Sequence, residues 1–186
     1  QQPMTRAETV PAADRPAPVA DMKPERVEAA ASAYDPAAAA GVRAISAADP
    51  AFDVNRFLDG ARSAYAMILE AFWKGDREEL AFLTGGDVRE SFEAAITERE
   101  ASGLKLDNRL VAIERAVIES AEVQARTAYV TVRFDADIAA VTRDAEGNVV
   151  AGSLSDAIET HDVWTFRRDL SSADPNWLLV ETDEVA

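Results

Sequence analysis

Apolar residues return at every third or fourth position over one long stretch, and this spacing predicts a helix over about 54–74. Asp53 precedes the stretch as the expected N-cap, and Gly75 follows it as the expected C-cap. The apolar positions cover more than one side of the predicted helix, so we expect it to be largely buried. The pattern consists of Val54, Phe57, Leu58, Ala61, Tyr65, Ile68, Leu69 and Phe72.

Two shorter helices are predicted after this one. The first begins at Asp76, which forms a pair with Glu79 that resembles a capping box, and it stops before Gly85. The second begins at the acidic cap Asp87 and ends before Gly103. Their apolar residues are Leu80, Phe82, Leu83, Val88, Phe92 and Ile96.

The spacing then changes to alternation, which is typical of strands. Every second position from Ala128 to Ile138 is apolar, so a long strand with one buried face is predicted there. The predicted strands cover 110–118, 126–141, 158–168 and 177–182, with a short apolar restart at Val149–Val150 after a turn at 144–148. Helices followed by strands predict an α+β fold. We expect N-terminal helices and then a strongly curved antiparallel sheet of about four strands, which forms a cone with an apolar pocket.

The inner face of such a cone is where we expect a ligand to bind. Two of the three tryptophans, Trp164 and Trp177, lie in the last predicted hairpin, and side chains of this size anchor a core or wall a pocket. Asp162 shares strand parity with Trp164 and is the best candidate for an acid or base; the alternative is a strand-edge carboxylate bonded to an arginine or to backbone amides. The apolar candidates have ordinary core packing as their alternative role. The predicted pocket residues are Phe72, Phe92, Ile96, Val132, Phe134, Asp162, Trp164 and Phe166.

The composition changes near residue 50. Seven of the eight prolines lie at or before Pro50, and no helical or alternating spacing is legible before about Pro24. The chain begins at Gln1, and we expect a membrane anchor in a segment that precedes it. The predicted segments are a disordered linker over 1–23, weak alanine-rich helices over 24–50 (25–33 and 36–48), and the main domain over 51–186.

The formal net charge of −15 argues against one class of function. Such a charge repels phosphate backbones, so nucleic-acid binding is not expected. The absence of cysteine excludes disulfides and thiolate metal sites, and the single histidine, His161, argues against a metal centre or a catalytic relay. No serine lies in a nucleophile-elbow sequence. We therefore predict no catalytic residue, no metal ion and no cofactor.

Short motifs, in one order along most of the chain, resemble the Tim44-like domain family. The resemblance extends from about Gly41 to Asp183 and depends on the whole series of motifs. The matching positions are Gly41–Ile45, Asp49–Asp53, Phe57, Leu58, Gly60, Ala61, Ala71, Phe72, Gly75, Asp76, Phe92, Ile96, Arg99, Glu100, Gly103, Val130–Phe134, Asp144, Gly147, Asp162, Trp164–Phe166, Arg168, Asp169 and Pro175–Trp177.

This resemblance implies a function. Mitochondrial members are peripheral inner-membrane proteins of the protein-import motor, and bacterial members usually carry an N-terminal membrane segment before this domain. The 16 arginines against three lysines are typical of a bacterial member. The implied protein is a non-enzymatic, membrane-associated adaptor or scaffold in protein transport or membrane biogenesis. It would bind a protein partner or a lipid through the apolar pocket and the N-terminal helices, at the bacterial inner membrane with the domain facing the cytoplasm.

Two other functions stay open at this point. The predicted cone is also similar to the nuclear-transport-factor-two-like fold, which hosts isomerases and dehydratases. The alternative function is therefore a small-molecule isomerase or dehydratase centred on Asp162. The third is a scaffold that associates with itself as a homo-oligomer.

Overall fold

Helices precede strands in the described part of the chain. The computed structural model describes residues 33–184. Within this range four α-helices are followed by five strands, which form one antiparallel sheet that does not close on itself. The predicted α+β fold is thereby confirmed. The predicted linker over 1–23, and all but the last residue of the predicted helix over 25–33, lie outside the described residues.

The helices follow the predicted order. They are α1 (Ala39–Ala48), α2 (Val54–Lys74), α3 (Arg77–Leu83) and α4 (Gly86–Ala101). A 3₁₀ turn over Pro36–Ala38 leads into α1. Proline suits this position because its fixed φ is helical and its missing N–H would have no partner in the first turn.

Side-chain caps fix where α2 and α3 begin. The Asp53 carboxylate accepts a hydrogen bond from the backbone N–H of Arg56 at 2.8 Å, and the Asp76 carboxylate accepts one from Glu79 at 3.0 Å. Gly75 is the C-cap of α2. The predicted starts of both helices are therefore confirmed. A carboxylate at this position stabilises a helix because it accepts hydrogen bonds from first-turn N–H groups that have no partner within the helix.

The start of α4 differs from the prediction. Its N-cap is Gly85, which offers no side-chain oxygen, and the helix begins at Gly86. The predicted cap, Asp87, lies inside the first turn. A carboxylate in the first turn still stabilises the helix, because it interacts favourably with the positive end of the helix dipole. The prediction of a helix from Asp87 was therefore correct, and the prediction that Asp87 is its N-cap was wrong.

The sheet is built around its longest pairings, those of the central strand β3. The strands are β1 (Lys105–Leu106), β2 (Arg109–Gln124), β3 (Thr127–Arg143), β4 (Val149–Asp169) and β5 (Leu178–Glu184). One edge of β3 pairs with β2 and, beyond it, with β1; the other edge pairs with β4, which pairs with β5. The expectation of about four strands missed only the two-residue β1.

β4 is continuous, whereas the sequence predicted two separate pieces. The intervening residues 151–157 show no alternation of apolar and polar side chains. Their pairing with β3 is interrupted by a bulge, because Ala139 pairs with Ala157 whereas Val141 pairs with Gly152. Gly152 lies at this bulge with a φ of 80°, and a Cβ atom there would lie 1.9 Å from the Ala140 carbonyl oxygen. Only glycine fits this position without rearrangement.

The core lies between α2 and the sheet face that holds the even-numbered residues of β3. Val130, Val132 and Phe134 are fully buried there and join Leu58 and Ile68 of α2 in one apolar cluster. Each such side chain contributes about 1.5–3 kcal/mol relative to exposure. Burial of this face therefore fixes how α2 lies across the sheet.

Two short segments cover parts of the sheet edges. Tyr34 forms an isolated parallel bridge with Ile118 of β2, next to the place where α1 packs on that strand. Thr84, after α3, forms a similar bridge with Leu179 of β5. Bridges of this kind satisfy backbone groups that an edge strand would otherwise present to solvent.

Candidate functional site

An apolar groove opens between the first half of α2 and the far end of β4. Its volume is about 820 Å³. The residues before α2, the last residues of α3 and the connection from β4 to β5 complete its walls. We call it the α2–β4 groove; its larger apolar side chains are Phe52, Phe57, Met67, Phe82, Leu83, Phe166, Trp177 and Leu178.

Four aromatic rings form the floor at one end of the groove. The Phe57 ring meets the Trp177 ring edge-on at 4.9 Å between centroids and the Phe166 ring at 6.2 Å. Phe52 lies 5.8 Å from Phe57 and 6.2 Å from Trp177. Tilted and edge-on pairs of this kind hold their rings in fixed positions, so this end of the groove is preformed.

Two large apolar side chains on the rim are open to solvent. Phe82 is 72% exposed and Met67 is 43% exposed, although both line the groove. Small residues of α2, among them Ala61 and Ala64, leave room between them and the aromatic floor. An exposed phenylalanine beside an apolar hollow is the usual form of a surface that binds another apolar group.

A charged pair closes one end of the groove. Arg168 Nη1 donates to Asp49 Oδ2 at 2.7 Å, and both side chains are more than four-fifths buried. This bond ties the α1–α2 connection to β4. The Nε atom of Arg168 is buried and has no acceptor among residues 33–184. The pair is therefore a structural tie that leaves one donor unsatisfied, at a cost of about 1–3 kcal/mol.

Three of the predicted pocket residues lie in the core beneath α2. Val132 and Phe134 are 0% exposed, and Trp164 is 3% exposed. The Tyr65 ring stacks on Phe134 at 4.4 Å and lies 4.6 Å from Trp164. Tyr65 thus occupies the space that the sequence assigned to a ligand. A fourth predicted residue, Phe166, lines the α2–β4 groove and also belongs to the core.

The other apolar candidates, Phe72, Phe92 and Ile96, lie on α2 and α4. Phe72 and Phe92 pack against each other between α2 and α4, with ring centroids 5.1 Å apart, and Ile96 is fully buried. The Arg99 guanidinium lies over the Phe72 ring at 5.2 Å and donates to the Phe72 carbonyl. The structure therefore does not bring these three together with Phe166 in one cavity.

Asp162 faces the helices, as its strand parity predicts. Its Oδ2 accepts a hydrogen bond of 2.6 Å from the Tyr65 hydroxyl. Burial, and then this bond and the nearby negative charge, raise the pKa of Tyr65 well above its usual range. Asp162 lines neither the α2–β4 groove nor a second cavity of about 580 Å³ between Trp73 and Ala145. The Tyr65 hydroxyl is thus one partner of Asp162, and the sequence did not suggest it.

Comparison with known proteins identifies the family. The Tim44-like domain model matches residues 38–184, which include α1 and every later element. The chain belongs to the Tim44-like domain family. The resemblance seen in the motifs is thereby confirmed.

Individual relatives of this Tim44-like chain are distant. It is 25% identical over 136 residues to the human mitochondrial import inner membrane translocase subunit TIM44, and the match covers 72% of this chain and 30% of that protein. The chain therefore spans less than a third of the length of this relative.

Two solved structures share part of the arrangement. The intermembrane space region of chloroplast protein ARC6 gives a TM-score of 0.44 at 18% identity, covering 68% of this chain and 96% of that one. A conserved protein from Planctomyces limnophilus DSM 3776 gives 0.40 at 22% identity, covering 67% and 94%.

Sequence reasoning missed most of the groove in this Tim44-like domain. Phe57 is recognisable only as an apolar helix position, and Phe52 carries no signal of its own. Of the residues that line the groove, the sequence pointed only to Phe166, a predicted pocket residue, and to Trp177, whose size indicates a core anchor or a pocket wall. No helix in residues 33–184 is both long and apolar enough to span a lipid bilayer.

Proposed function

We propose that this Tim44-like domain is a non-enzymatic adaptor of a membrane-associated assembly, in protein transport or membrane biogenesis. In this proposal the α2–β4 groove receives apolar side chains of a protein partner, and the segment over 24–50 contributes to the same assembly. The human relative, named as a subunit of an inner membrane translocase, supports an assembly of this kind. We place the domain at the bacterial inner membrane, facing the cytoplasm, held by a membrane anchor on the N-terminal side of Gln1.

The exposed rim of the groove is the observation that carries this proposal. Phe82 and Met67 leave much of their apolar surface in water, beside a floor of aromatic rings that are already fixed. Burying such groups against a partner releases about 25 cal/mol for each Å² of apolar surface. Aromatic anchors in a preformed hollow are the residues that dominate binding at protein interfaces.

A protein segment suits the groove better than an anionic lipid does. The net charge of −15 repels anionic head groups at long range. Asp53, Asp169 and Asp174 add carboxylates to the groove wall, against Arg56 and Arg167. An amphipathic helix can place apolar side chains in a groove and keep its polar face in water, without bringing a phosphate close to these carboxylates.

The position of Asp162 supports an adaptor over an enzyme. An isomerase or dehydratase needs an acid or base that points into the substrate cavity. Asp162 is bonded to the buried Tyr65 hydroxyl and does not line the groove. The carboxylates that do line the groove are engaged elsewhere: Asp49 is paired with Arg168, Asp53 caps α2, and Asp169 and Asp174 accept backbone hydrogen bonds within the connection from β4 to β5.

Site-specific crosslinking tests the proposed occupant. A photoreactive phenylalanine analogue would replace Phe82 or Met67 in the full chain, inside the cells that produce it. We expect both positions to crosslink the same protein, and Val111, an exposed apolar residue of β2, to leave it uncrosslinked. The isolated partner should then bind the purified chain, and Phe82→Glu should weaken that binding by about tenfold or more.

Val111→Glu is the matched control, because it places the same charge at an apolar residue that is 54% exposed and lies outside the groove. Equal loss of binding in both variants would contradict the proposal. A second result would also contradict it: the chain binds phosphatidylglycerol vesicles, Phe82→Glu abolishes this binding, and no protein is crosslinked. A lipid would then be the occupant of the groove.

A further inference from the structure

A second cavity lies where α2 and α4 end, and β1 and the turn between β3 and β4 complete its walls. Its volume is about 580 Å³. We call it the Trp73 cavity, and it shares no lining residue with the α2–β4 groove. It is lined by Trp73, Lys74, Arg99, Glu100, Gly103, Leu104, Lys105, Leu106 and Ala145.

Basic residues concentrate in this cavity, although the chain as a whole is acidic. The net charge of the chain is −15, yet the lining includes three basic residues and one acidic residue. Lys74 and Lys105 are two of only three lysines in the sequence. Lys74 is paired with Glu70 at 2.6 Å, on the solvent side of α2. The local charge is thus opposite in sign to that of the chain, which favours an anion at this place.

The one carboxylate of the cavity is neutralised by a residue outside the lining. Arg77 donates to both oxygens of Glu100, at 3.1 and 3.2 Å. Arg99 and Lys105 form no ion pair with a carboxylate of residues 33–184. Two positive charges of the cavity are therefore left without a counter-charge in the described part of the chain.

The Arg99 guanidinium is held in place and still has donors to spare. Its Nη2 donates to the carbonyl oxygens of Phe72 and Trp73, at 2.9 and 3.2 Å. Its Nε and Nη1 have no acceptor among residues 33–184, and they stay accessible, since Arg168 Nε is the only side-chain nitrogen of that range that is buried without an acceptor. Burial lowers the pKa of Arg99, and the charge of Glu100 offsets this only in part. An anion beside this guanidinium would restore the charged contacts that burial removes.

The side-chain groups left free in the cavity are all hydrogen-bond donors. Ammonium, guanidinium and the Trp73 indole N–H donate and do not accept. The carbonyl oxygens at the end of α2 that could accept are already bonded to Arg99. A ligand that matches this lining carries acceptors only, and guanidinium and ammonium groups together suit a phosphate. Leu104 and Leu106 add an apolar wall beside Trp73.

The described range neither begins nor ends beside the cavity. Glu184, its last residue, lies in the row of the sheet that contains Phe134. The cavity lies at the other end of β3, where Lys105 pairs with Arg143. These two rows are roughly 30 Å apart along β3. The bridge at Tyr34 lies further still from the cavity.

We propose that the Trp73 cavity binds a small soluble phosphate ester that has an apolar or aromatic body. Arg99 and Lys105 donate to the phosphate oxygens, and Lys74 contributes a further donor. The Trp73 ring and the two leucines contact the body of the ligand.

A soluble ester suits this cavity better than an anionic bilayer does. At about 0.1 M salt, charges more than about 10 Å away are largely screened from a small ligand, so the local cations dominate. A bilayer is an extended anionic surface and would also face the carboxylates around the cavity. Asp107, Asp144 and Glu146 flank the lining residues Leu106 and Ala145 in the chain.

NMR titration of the full chain with simple probes tests this proposal. The probes are phenyl phosphate, inorganic phosphate and benzyl alcohol, at about 0.1 M salt and about pH 7.5, where a phosphate monoester is mostly doubly charged. The three tryptophans give three indole N–H signals, and Trp73→Phe identifies one of them. Phenyl phosphate should shift the Trp73 signal and leave those of Trp164 and Trp177 unchanged. Inorganic phosphate should bind more weakly, and benzyl alcohol should not bind.

A pair of charge variants tests whether the effect is local. Lys105→Gln should weaken phenyl phosphate binding by about tenfold, because it removes one charged contact at an exposed residue of β1. Arg43→Gln is the matched control: it removes the same charge at an exposed residue of α1, outside both cavities. It should change the affinity by less than about twofold, since its charge is screened. Urea unfolding checks that both variants are folded.

Several results would overturn the proposal. If no phosphate shifts the Trp73 signal, these cations only neutralise the carbonyl ends of α2 and α4. Equal loss of affinity in Lys105→Gln and Arg43→Gln would show that the attraction is not local. A shift of the Trp177 signal alone would place the ligand in the α2–β4 groove. Binding to phosphatidylglycerol vesicles that Lys105→Gln abolishes, with no response to phenyl phosphate, would make a lipid the ligand.

Discussion

Gly41 offers the sharpest test of how the first helix lies on the sheet. A Cβ atom at Gly41 would lie 1.7 Å from the carbonyl oxygen of Ala121 and 2.4 Å from its carbonyl carbon. Because ordinary contact needs about 3.5 Å, Gly41→Ala must push α1 about 2 Å away from β2. The obstructing atoms belong to the backbone and cannot rotate aside, as a side chain could.

The expected loss of stability can be worked out from this distance. Overpacking costs about 1–3 kcal/mol, and an immovable obstruction belongs at the upper end. Replacing a helical glycine by alanine returns about 1 kcal/mol of helix propensity. The net change in the free energy of unfolding is therefore a loss of about 2 kcal/mol. The displaced helix also uncovers Val42 and Ile45, which are 7% and 0% exposed in the native chain.

Urea unfolding followed by tryptophan fluorescence measures the free energy of unfolding, and hydrogen exchange over 39–48 reports whether α1 leaves β2. Gly60→Ala is the matched control: Gly60 lies inside α2, and its Cβ atom would meet nothing within 4 Å. That variant should be more stable than the native chain by up to about 1 kcal/mol. If both substitutions stabilise the protein equally, the close approach of α1 to β2 is refuted.

Three further changes test the cap, the buried tyrosine and the histidine. Asp53→Ala should lower the free energy of unfolding by about 1 kcal/mol in urea titrations, whereas Asp53→Asn, which still accepts the capping bond, should lose less. Tyr65→Phe should cost about 2 kcal/mol, because it removes the hydrogen bond to the Asp162 carboxylate. The folded chain also keeps the Tyr65 proton at a pH where the unfolded chain has lost it, because the pKa of Tyr65 is raised in the fold. The free energy of unfolding should therefore fall as the pH rises above about 10. Tyr65→Phe should flatten that decline in urea titrations repeated between about pH 9 and 11. The hydrogen bond to Asp135 raises the pKa of His161 in the folded chain. The bond therefore stabilises the fold fully below about pH 6.5, and this stabilisation is lost as the pH rises through the raised pKa of the folded state. Asp135→Asn should lower that pKa in an NMR titration of this single histidine.

The helices were predictable because their signals are local. Asp53 and Asp76 cap helices whose apolar spacing is clear in the sequence, and the alternation from Ala128 to Ile138 fixes both the position of β3 and its buried face. The course of β4 was not predictable, because residues 151–157 carry no alternation and their position depends on the bulge at Gly152. Glycine at a bulge and glycine in a loop look the same in one sequence.

The predicted pocket depended on a choice that the sequence leaves open. The inner positions of β3 and β4 are equally apolar whether a ligand or a helix covers them. Tyr65 decides this, since its ring lies against Phe134 and Trp164 and its hydroxyl meets Asp162. The strand parity that placed Asp162 on the helix-facing side was correct. Its hydrogen bond with Tyr65 could not be inferred, because Tyr65 lies 97 residues away in the chain.

The same helix explains why a hollow forms at the end of the sheet. Around its middle α2 presents Tyr65, which fills the space over β3 and β4. On its N-terminal side α2 lines the groove with Gly60, Ala61 and Ala64, which have no side chain or only a methyl group. The connection between β4 and β5 brings Trp177 onto Phe57, so the groove acquires an aromatic floor and stays open towards solvent. The step from a large residue to small ones along α2 therefore determines both where the core is complete and where the groove stays open to solvent.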